Sequence, residues 1–276
     1  MPKVPIRRGK DLDRMRDAGG TAAEILRMTA AFVEAGKSTR DVEEYAVELM
    51  RERECKSIFY RYRGFPGYIC ISLNDEVVHG IANPSRIIKS GDIVKIDIGI
   101  VKNGWIGDNA TTVPVGDIDA ATRHLLWATE ESLHVAIDYC REGYRLGDVC
   151  SSVDRTVRHY NYTVVEEFVG HGVGRKLHEP PQIPNYGIPH HNPKLKAGMI
   201  FAIEPMVNLG SKQIEILADN WTAKTLDRKA SAHFEHSVLI TNGEPEILTP
   251  RPRLMEDQPP VPARSAPNII GGPVSV

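Results

Sequence analysis

The sequence predicts an α+β fold whose two halves share one plan, with two helices followed by antiparallel strands in each half. Two observations support this prediction. Amphipathic helical periods alternate with segments rich in β-branched residues, and short motifs recur at a constant offset of 107 residues, as Asp41 and Asp148 illustrate. A chain of 276 residues is also long enough to bury one large core or two small ones.

The first half begins with two predicted helices. Over residues 12–33 apolar side chains recur at helical spacing, and Gly36 follows in the place of a left-handed C-cap. Ser38 with Asp41 three residues later is a capping-box pattern, which predicts the start of the second helix. Apolar residues with a period of 3.6 continue that helix to Leu49.

Predicted strands follow these helices. Segment 57–81 is rich in aromatic and β-branched residues, and segments 93–101 and 105–115 have the composition of strands. Asn103-Gly104 separates the last two segments, and this dipeptide favours a two-residue hairpin turn. We therefore expect a hairpin in which Lys102 pairs with Trp105.

The second half repeats this order. Residues 125–140 and 148–160 carry helical patterns and precede further strands. Two longer motifs align at the 107-residue offset: Gly36-x4-Asp41-Val42 with Gly143-x4-Asp148-Val149, and Lys89-x-Gly91-x4-Ile96-Asp97 with Lys196-x-Gly198-x4-Ile203-Glu204. We infer an internal duplication with half-repeats of about 10–115 and 117–248, and such a pseudo-two-fold molecule would place one shared site between its halves.

Composition excludes several classes of protein. The chain has 34 Lys plus Arg against 36 Asp plus Glu, so neither DNA nor an anionic membrane is an expected partner. No apolar run approaches the roughly 18 residues of a membrane span, and the N-terminus lacks the apolar centre of a signal peptide, so we expect a cytoplasmic protein. The four cysteines are far apart and are expected to be free thiols: Cys55, Cys70, Cys140 and Cys150.

The C-terminal part of the chain differs from the rest. From Pro250 onward it is rich in proline and shows neither helical nor strand periodicity. We expect a single domain over residues 1–250 and a disordered or extended tail over residues 251–276.

Asp97 is unexpected because it lies in a predicted strand that should be largely buried, where an unpaired carboxylate is costly. If Lys102 pairs with Trp105, Asp97 pairs with Ala110, and Asp97 and Asp108 project from the same face as diagonal neighbours. A turn shifted by one residue on each side would place the two acids directly opposite one another. In either register two carboxylates this close repel unless a proton or a cation lies between them.

Three further polar residues interrupt apolar or glycine-rich segments. Glu204 ends the apolar run 199–203, Glu235 follows Phe234, and His171 lies between glycines that let the backbone approach closely. With the two aspartates they form a set of four carboxylates and one imidazole. This set is too rich in oxygen for a structural zinc site and suits a pair of divalent ions such as Mn, Fe(II) or Co, with bridging carboxylates.

Each of these residues has a simpler interpretation when it is considered alone. A strand Asp is usually an edge or turn residue, a strand Glu usually faces water, and a His between glycines is more often a loop residue than a ligand. Their joint occurrence at equivalent points of two half-chains favours a metal site.

Five motifs carry a resemblance to a known family: Asp97-x10-Asp108, Gly170-His171-Gly172-Val173-Gly174 followed by His178-Glu179, Ile203-Glu204-Pro205-Met206, Phe234-Glu235-His236, and Asn74-Asp75-Glu76-Val77-Val78-His79-Gly80. Together they resemble type I methionine aminopeptidase of peptidase family M24, in its short bacterial form, over residues 6–250. The resemblance implies a pita-bread fold, in which pseudo-two-fold halves form a curved antiparallel sheet covered by helices. It also implies removal of the initiator methionine from nascent polypeptides with a small second residue.

The same resemblance implies a ligand set and a mechanism. Asp97, Asp108, His171, Glu204 and Glu235 match the five ligands of a dinuclear centre, which could hold Co, Mn, Fe(II) or Zn. Water or hydroxide that bridges the two ions would attack the carbonyl of the first peptide bond.

Two histidines that are not ligands match positions beside the substrate. His178 would donate to the carbonyl oxygen, and His79 would hydrogen-bond the scissile amide nitrogen or help to protonate it. Glu204 would carry the proton. The simpler interpretation of both histidines is an ordinary surface or core residue.

The resemblance further implies a pocket for the methionine side chain. Besides His79 and His178, its wall would consist of Phe59, Tyr62, Phe65, Cys70, Leu177 and Trp221, and an apolar and aromatic wall suits a flexible thioether. Many family members have Cys, Tyr and Phe at positions 59, 65 and 177, so we expect this chain to differ from them in pocket shape.

The resemblance also implies a site for a monovalent cation. Asn74 and Ser231 match positions that hold such a cation through oxygens in some members, and Glu76 is a local difference there.

Two other functions compete with this prediction. A proline-directed peptidase of the same fold, such as prolidase, shares the ligand types but usually carries a further N-terminal domain. A non-catalytic member of the fold would bind RNA or protein, yet it would have no reason to keep five buried ligands. We expect a monomer that acts on nascent polypeptide N-termini.

Six basic residues allow two interpretations. They could make transient contact with the ribosome, or they could be ordinary solvated surface charges: Arg7, Arg8, Lys10, Lys56, Arg61 and Arg63.

Overall fold

The structure, a computed structural model, describes residues 3–260. The helices of this part of the chain are α1 (Lys10–Phe32), α2 (Thr39–Glu52), α3 (Ala120–Asp138) and α4 (Leu146–His159). All four lie where the sequence predicts them. Helix α3 begins five residues earlier than predicted because Asp119 caps it, its carboxylate accepting the backbone N–H groups of Ala121 and Thr122, each at 2.9 Å.

The structure confirms the predicted start of α2 but not the predicted end of α1. The capping box is confirmed: the Asp41 carboxylate accepts the Ser38 N–H at 2.7 Å, and the Ser38 hydroxyl accepts the Asp41 N–H at 3.1 Å. The predicted C-cap at Gly36 is wrong, because α1 already ends at Phe32 and Val33 is extended. Gly36 has a φ of 95° but serves the turn before Ser38, where its N–H donates to the Ile88 carbonyl.

The first half contains β1 (Lys56–Ser57), β2 (Cys70–Leu73), β3 (Ile93–Lys102) and β4 (Trp105–Pro114). The predicted hairpin is confirmed, since Lys102 pairs with Trp105 and Asp97 pairs with Ala110. Asn103 and Gly104 both have positive φ, which a two-residue type I′ turn requires.

Segment 57–81 forms much less strand than its composition predicts. Between β1 and β2 it forms loops and a short 3₁₀ turn, Tyr62–Gly64. Arg61 and Arg63 adopt left-handed φ values of 64° and 51°, which break the extended backbone. The aromatic side chains of this segment instead form part of a cavity wall.

The second half contains β5 (Thr163–Val164), β6 (Gly170–Gly172), β7 (Glu179–Ile183), β8 (Ile200–Ile203), β9 (Met206–Asn208), β10 (Ile214–Ile216), β11 (Ala223–Thr225), β12 (Ser231–His233), β13 (His236–Leu239) and β14 (Glu246–Ile247). Strands β14-β13-β8-β6-β7 form one antiparallel sheet and β12-β9-β5 another. Helices α3 and α4 pack on these strands around the larger apolar core, while α1 and α2 cover the first-half sheet.

Matching backbone features recur at the 107-residue offset. Gly36 and Gly143 have φ values of 95° and 101°. Asp41 and Asp148 each accept the N–H of the residue three positions earlier, at 2.7 and 2.8 Å. The two halves therefore share a local plan as well as an element order.

The halves meet along β4. The Glu235 N–H donates to the Ala110 carbonyl at 2.9 Å, and the Thr112 hydroxyl donates to the His233 carbonyl at 2.7 Å. These bonds bring the segment between β12 and β13 against the first-half hairpin.

The packed structure continues beyond Pro250, so the predicted start of the tail is too early. Arg251 forms an ion pair with Glu130 of α3, and the two side chains are only 6% and 3% exposed. The Leu254 N–H donates to the same carboxylate at 2.7 Å, and Met255 packs against the second-half core. The buried Glu130 needs these partners, which explains why a proline-rich segment is ordered here. Residues 256–260 have no regular secondary structure, and the rest of the predicted tail lies outside the described residues.

Within residues 3–260, no helix combines the length and the apolar character that crossing a membrane requires.

Candidate metal centre

The five predicted ligands line one cavity of about 400 Å³ between the two halves. Asp97 and Asp108 come from the paired strands β3 and β4. His171 is the middle residue of β6, Glu204 follows β8, and Glu235 lies between β12 and β13. The hairpin and the second-half sheet therefore each supply part of one site.

The ligand atoms face one another across short gaps. His171 Nε2 lies 3.6 Å from an Asp108 oxygen and 3.5 Å from a Glu204 oxygen. One ligand atom each from Asp108, His171 and Glu235 lie within 4.8 Å of one another. The two His171 separations are longer than ordinary hydrogen bonds, so the imidazole is close to these carboxylates without bonding to them.

The orientation of His171 is fixed by the backbone. Its Nδ1 donates to the Gly172 carbonyl at 2.9 Å, which leaves the Nε2 lone pair directed at the carboxylates. A Cβ at Gly170 would lie 2.4 Å from the Ala202 oxygen, and one at Gly172 would lie 2.3 Å from the Pro180 oxygen. The glycines on both sides of His171 therefore permit close strand contact, as the sequence predicts.

The carboxylates are buried with too few partners. Asp97 Oδ1, Asp108 Oδ1 and Glu235 Oε1 have no hydrogen-bond partner among the described residues. Burial raises the pKa of Asp97 to about 7. Burial, and then repulsion from neighbouring acids, raises the pKa of Asp108, Glu204 and Glu235 well above the ordinary range.

This electrostatic imbalance is what a divalent metal centre would remove. Burial lowers the pKa of His171 to about 3, so its imidazole is neutral near pH 7 and can act as a ligand. Four carboxylates and one neutral imidazole form a donor set that suits oxygen-preferring divalent ions. The residues present therefore fit the metal centre that the sequence predicts.

Both predicted substrate histidines lie in the same cavity. The His178 ring lies 4.4 Å from the His171 ring between centroids, and its Nδ1 is 2.7 Å from the Tyr62 hydroxyl. His79 has a left-handed φ of 61°, and its ring meets the Phe168 ring edge-on at 5.0 Å. Burial lowers the pKa of His79 to about 4, so this side chain is also neutral near pH 7.

The predicted pocket wall is assembled around these histidines, and all of its members line the cavity: Phe59, Tyr62, Phe65, Cys70, Leu177 and Trp221. Phe65 and Trp221 pack edge-to-face at 5.2 Å. Burial raises the pKa of the Cys70 thiol well above its ordinary value, so this thiol is protonated and serves as a small apolar group.

Sequence reasoning missed several lining residues. Val78 and Met206 also line the cavity, and both lie inside motifs that were recognised, next to His79 and two residues after Glu204. Phe168 lies in an irregular segment, and no pattern in the sequence signals its contact with His79. Arg63 and Glu167 line the cavity as well.

The predicted monovalent cation site is wrong, because a lysine occupies its place. The Asn74 and Ser231 carbonyl oxygens each accept a hydrogen bond from Lys95 Nζ at 2.8 Å. The Glu76 carboxylate instead pairs with Arg86. The sequence showed Lys95 in a buried strand, but its partners come from segments that only the fold brings together.

Arg7 is not a free surface charge, contrary to its place in the predicted ribosome-binding segment. Its guanidinium forms an ion pair at 2.6 Å with Glu179, the residue after His178. Arg61 and Arg63 are exposed, and Arg63 also lines the cavity.

Two similar α+β halves that enclose buried carboxylates and one imidazole define a metalloenzyme of the pita-bread fold. Residues 13–242 match the profile of Metallopeptidase family M24, and the chain belongs to this family.

Two relatives within or close to this family are methionine aminopeptidases that match most of the chain. Methionine aminopeptidase 1 of Bacillus subtilis is 45% identical over 240 residues, which cover 87% of this chain and 96% of the relative. The crystal structure of methionine aminopeptidase from Thermotoga maritima superimposes with a TM-score of 0.88 at 41% identity, covering 90% of this chain and all of that one. The predicted resemblance to methionine aminopeptidases is thus confirmed.

Prolidase from Pyrococcus furiosus shares the fold alone. It superimposes with a TM-score of 0.73 at 22% identity, and the match covers 66% of its length. The proline-directed alternative is therefore not favoured.

Proposed function

We propose that this protein is a metal-dependent aminopeptidase that removes the N-terminal methionine from nascent polypeptides whose second residue is small. The observation that carries the proposal is the meeting of four buried or half-buried carboxylates and a neutral imidazole with an apolar, aromatic pocket in one cavity. The names of the relatives support the same reaction.

Asp97, Asp108, His171, Glu204 and Glu235 would hold two divalent ions, of which Co, Mn, Fe(II) and Zn are candidates. Such ions supply an acidified water and polarise the scissile carbonyl when they are bound. Five residues with four carboxylates offer enough oxygens for two ions, whereas one ion would leave buried charge uncompensated.

His178 is assigned to the substrate carbonyl oxygen. When the Tyr62 hydroxyl donates to Nδ1 at 2.7 Å, the ring proton resides on Nε2, and this N–H is the donor for the developing oxyanion. Tyr62 thereby sets both the tautomer and the ring orientation of His178.

His79 and Glu204 are assigned to the leaving amine. A neutral His79 can hydrogen-bond the scissile amide nitrogen without adding positive charge beside the metal centre. The Glu204 carboxylate would accept a proton from the attacking water and release it to the leaving amine.

The methionine side chain would lie among Phe59, Phe65, Cys70, Leu177 and Trp221. This wall is apolar and aromatic, which suits a polarisable thioether. We assign the preference for a small second residue to the side of the cavity where Phe168 packs on His79, because a large side chain would meet these rings.

The proposed substrate also sets the expected partners and location. Nascent polypeptides are made in the cytoplasm, and we place a monomeric enzyme there. The exposed Arg61 and Arg63 near the cavity support a transient ribosome contact, which higher salt should weaken in a co-sedimentation assay. Binding that does not respond to salt would remove this part of the proposal.

A set of three peptides tests the proposed reaction. With divalent metal present, we expect release of Met from Met-Ala-Ser, much slower release from Met-Leu-Ser, and no cleavage of Ala-Pro. The matched Met peptides isolate the second-residue preference. Cleavage of Ala-Pro alone would favour a proline-directed peptidase, and no cleavage of any peptide would favour a non-catalytic protein.

A further inference from the structure

Lys95 is a fully buried lysine that the proposed chemistry does not use. It lies on β3 two residues before Asp97, so the two side chains leave the same face of the sheet. Only 2% of Lys95 is exposed. A buried amine is costly unless it is hydrogen-bonded, so its partners indicate what it does.

Both partners of the Lys95 amine are backbone carbonyl oxygens. Nζ donates at 2.8 Å to Asn74 in the first half and at 2.8 Å to Ser231 in the second half. The Asn74 oxygen also accepts the Ser231 N–H at 3.1 Å. One amine therefore joins the two halves at a single point.

This point is the base of the loop that carries His79. Along loop 74–79, the Val77 N–H donates to the Ala223 carbonyl at 2.7 Å, and the Asp75 carbonyl accepts the Thr225 N–H at 2.9 Å. The loop ends at His79, whose φ of 61° is sparsely populated for a residue with a Cβ. Surrounding contacts must hold such a conformation in place.

We propose that Lys95 is a positioning residue, whose amine donates to the Asn74 and Ser231 carbonyls, occupies the place of a bound cation and thereby sets the place of His79. The proposal rests on the role assigned to His79 in the proposed function. It implies that the natural enzyme needs no monovalent cation at this point. It also implies that removal of the amine leaves two converging carbonyl oxygens, which are suitable ligands for K⁺ or NH₄⁺.

Three substitutions test the proposal. Lys95→Met keeps the length of the side chain without its amine, Lys95→Ala opens space for a cation, and Lys89→Met changes an exposed lysine as the matched control. We expect Lys95→Met to lower kcat for Met-Ala-Ser about 10- to 100-fold, the scale of a small misplacement of a reacting group. Its KM and divalent metal content should stay near those of the unmodified enzyme, and Lys89→Met should change nothing.

Monovalent cations provide the second measurement. Lys95→Ala should gain kcat, and its metal-free form should gain thermal midpoint, when K⁺ or NH₄⁺ replaces choline at equal ionic strength. The unmodified enzyme should respond to neither cation. If Lys95→Met does not fold, the response of Lys95→Ala to monovalent cations, compared with that of the unmodified enzyme, tests the proposal.

The proposal is overturned by normal kcat in Lys95→Met, by equal loss of kcat and divalent metal, or by an unmodified enzyme that requires K⁺. It is also overturned if Lys95→Ala responds to no monovalent cation. Failure of the proposed function would look different, because the unmodified enzyme would then not release Met from Met-Ala-Ser at all.

Discussion

The two halves contribute to the metal centre in different ways. The first half supplies Asp97 and Asp108 from a hairpin of two ten-residue strands, where the strand ladder fixes both side chains. The second half supplies longer glutamates from the ends of short strands, Glu204 after β8 and Glu235 before β13. A rigid pair of short acids thus faces a pair whose position depends on several separate segments, and we infer that the hairpin defines the centre while the second half completes it.

The largest expected effect comes from removing a ligand of either half. Asp108→Asn and Glu235→Gln should each abolish Met release and lower the number of bound ions, since each removes a charge that the ions need. In metal-free protein the same changes should raise the thermal midpoint, because they relieve repulsion among buried acids. Calorimetry checks this result, with Glu244→Gln, an exposed acid, as the control.

If the hairpin is the more rigid partner, Asp108→Asn should produce the larger gain in metal-free stability, because its neighbours cannot move apart. A lower midpoint in both ligand variants would contradict the electrostatic account of the site.

The next effect in size concerns His178, which belongs to the second half and whose partner Tyr62 belongs to the first. His178→Ala should lower kcat about 100- to 1000-fold with metal content unchanged, the usual cost of losing one oxyanion donor. Tyr62→Phe should cause a smaller loss, because the imidazole remains but its orientation is no longer fixed. His191→Ala, an exposed histidine, is the control, and normal turnover in His178→Ala would exclude His178 from the reaction.

A truncation tests how far the second half depends on the segment after Pro250. Ending the chain at Pro250 removes Arg251 and leaves Glu130 buried without its cation. We expect the free energy of unfolding in urea to fall by about 3 kcal/mol, the scale measured when a buried pair loses one partner. A chain that ends at Pro260 should be as stable as the full chain. Equal stability of the two truncations would instead support a domain boundary at Pro250.

The smallest effect is a gradual dependence of metal-free stability on pH. Burial raises the pKa of Asp97 from about 4 in the unfolded chain to about 7 in the folded protein, so the folded state binds more protons between these pH values. The contribution of Asp97 to the stability of the metal-free protein is therefore fully present below about pH 4 and is lost as pH rises through about 7. Thermal midpoints of metal-free protein should fall over this window, less steeply in Asp97→Asn. A midpoint that rises with pH would show that the acid is not destabilised by burial.

The contrast between the halves also explains what the sequence could predict. Asn103-Gly104 predicted the hairpin register up to a shift of the turn, because a two-residue turn at a given place fixes every pair in the ladder. In the second half the sequence predicted the ligands, but strands of three or four residues, paired out of chain order, gave no register.

The features that the sequence did not predict depend on contacts between distant segments. The loop that carries Tyr62, the amine of Lys95 and the ordered Arg251 all depend on contacts between segments far apart in the chain. Local periodicity carries no information about such contacts. Apolar composition therefore suggested strands where the protein builds a cavity wall.

The most direct test of the central claim is a metal titration of stripped enzyme, prepared without oxygen, with bound ions and Met release from Met-Ala-Ser measured in the same samples. We predict no release without metal, recovery as divalent ions are added, and two ions per chain at saturation. Glu235→Ala should bind fewer ions and stay inactive. Met release by fully stripped enzyme, or full activity of Glu235→Ala after stripping, would contradict the account.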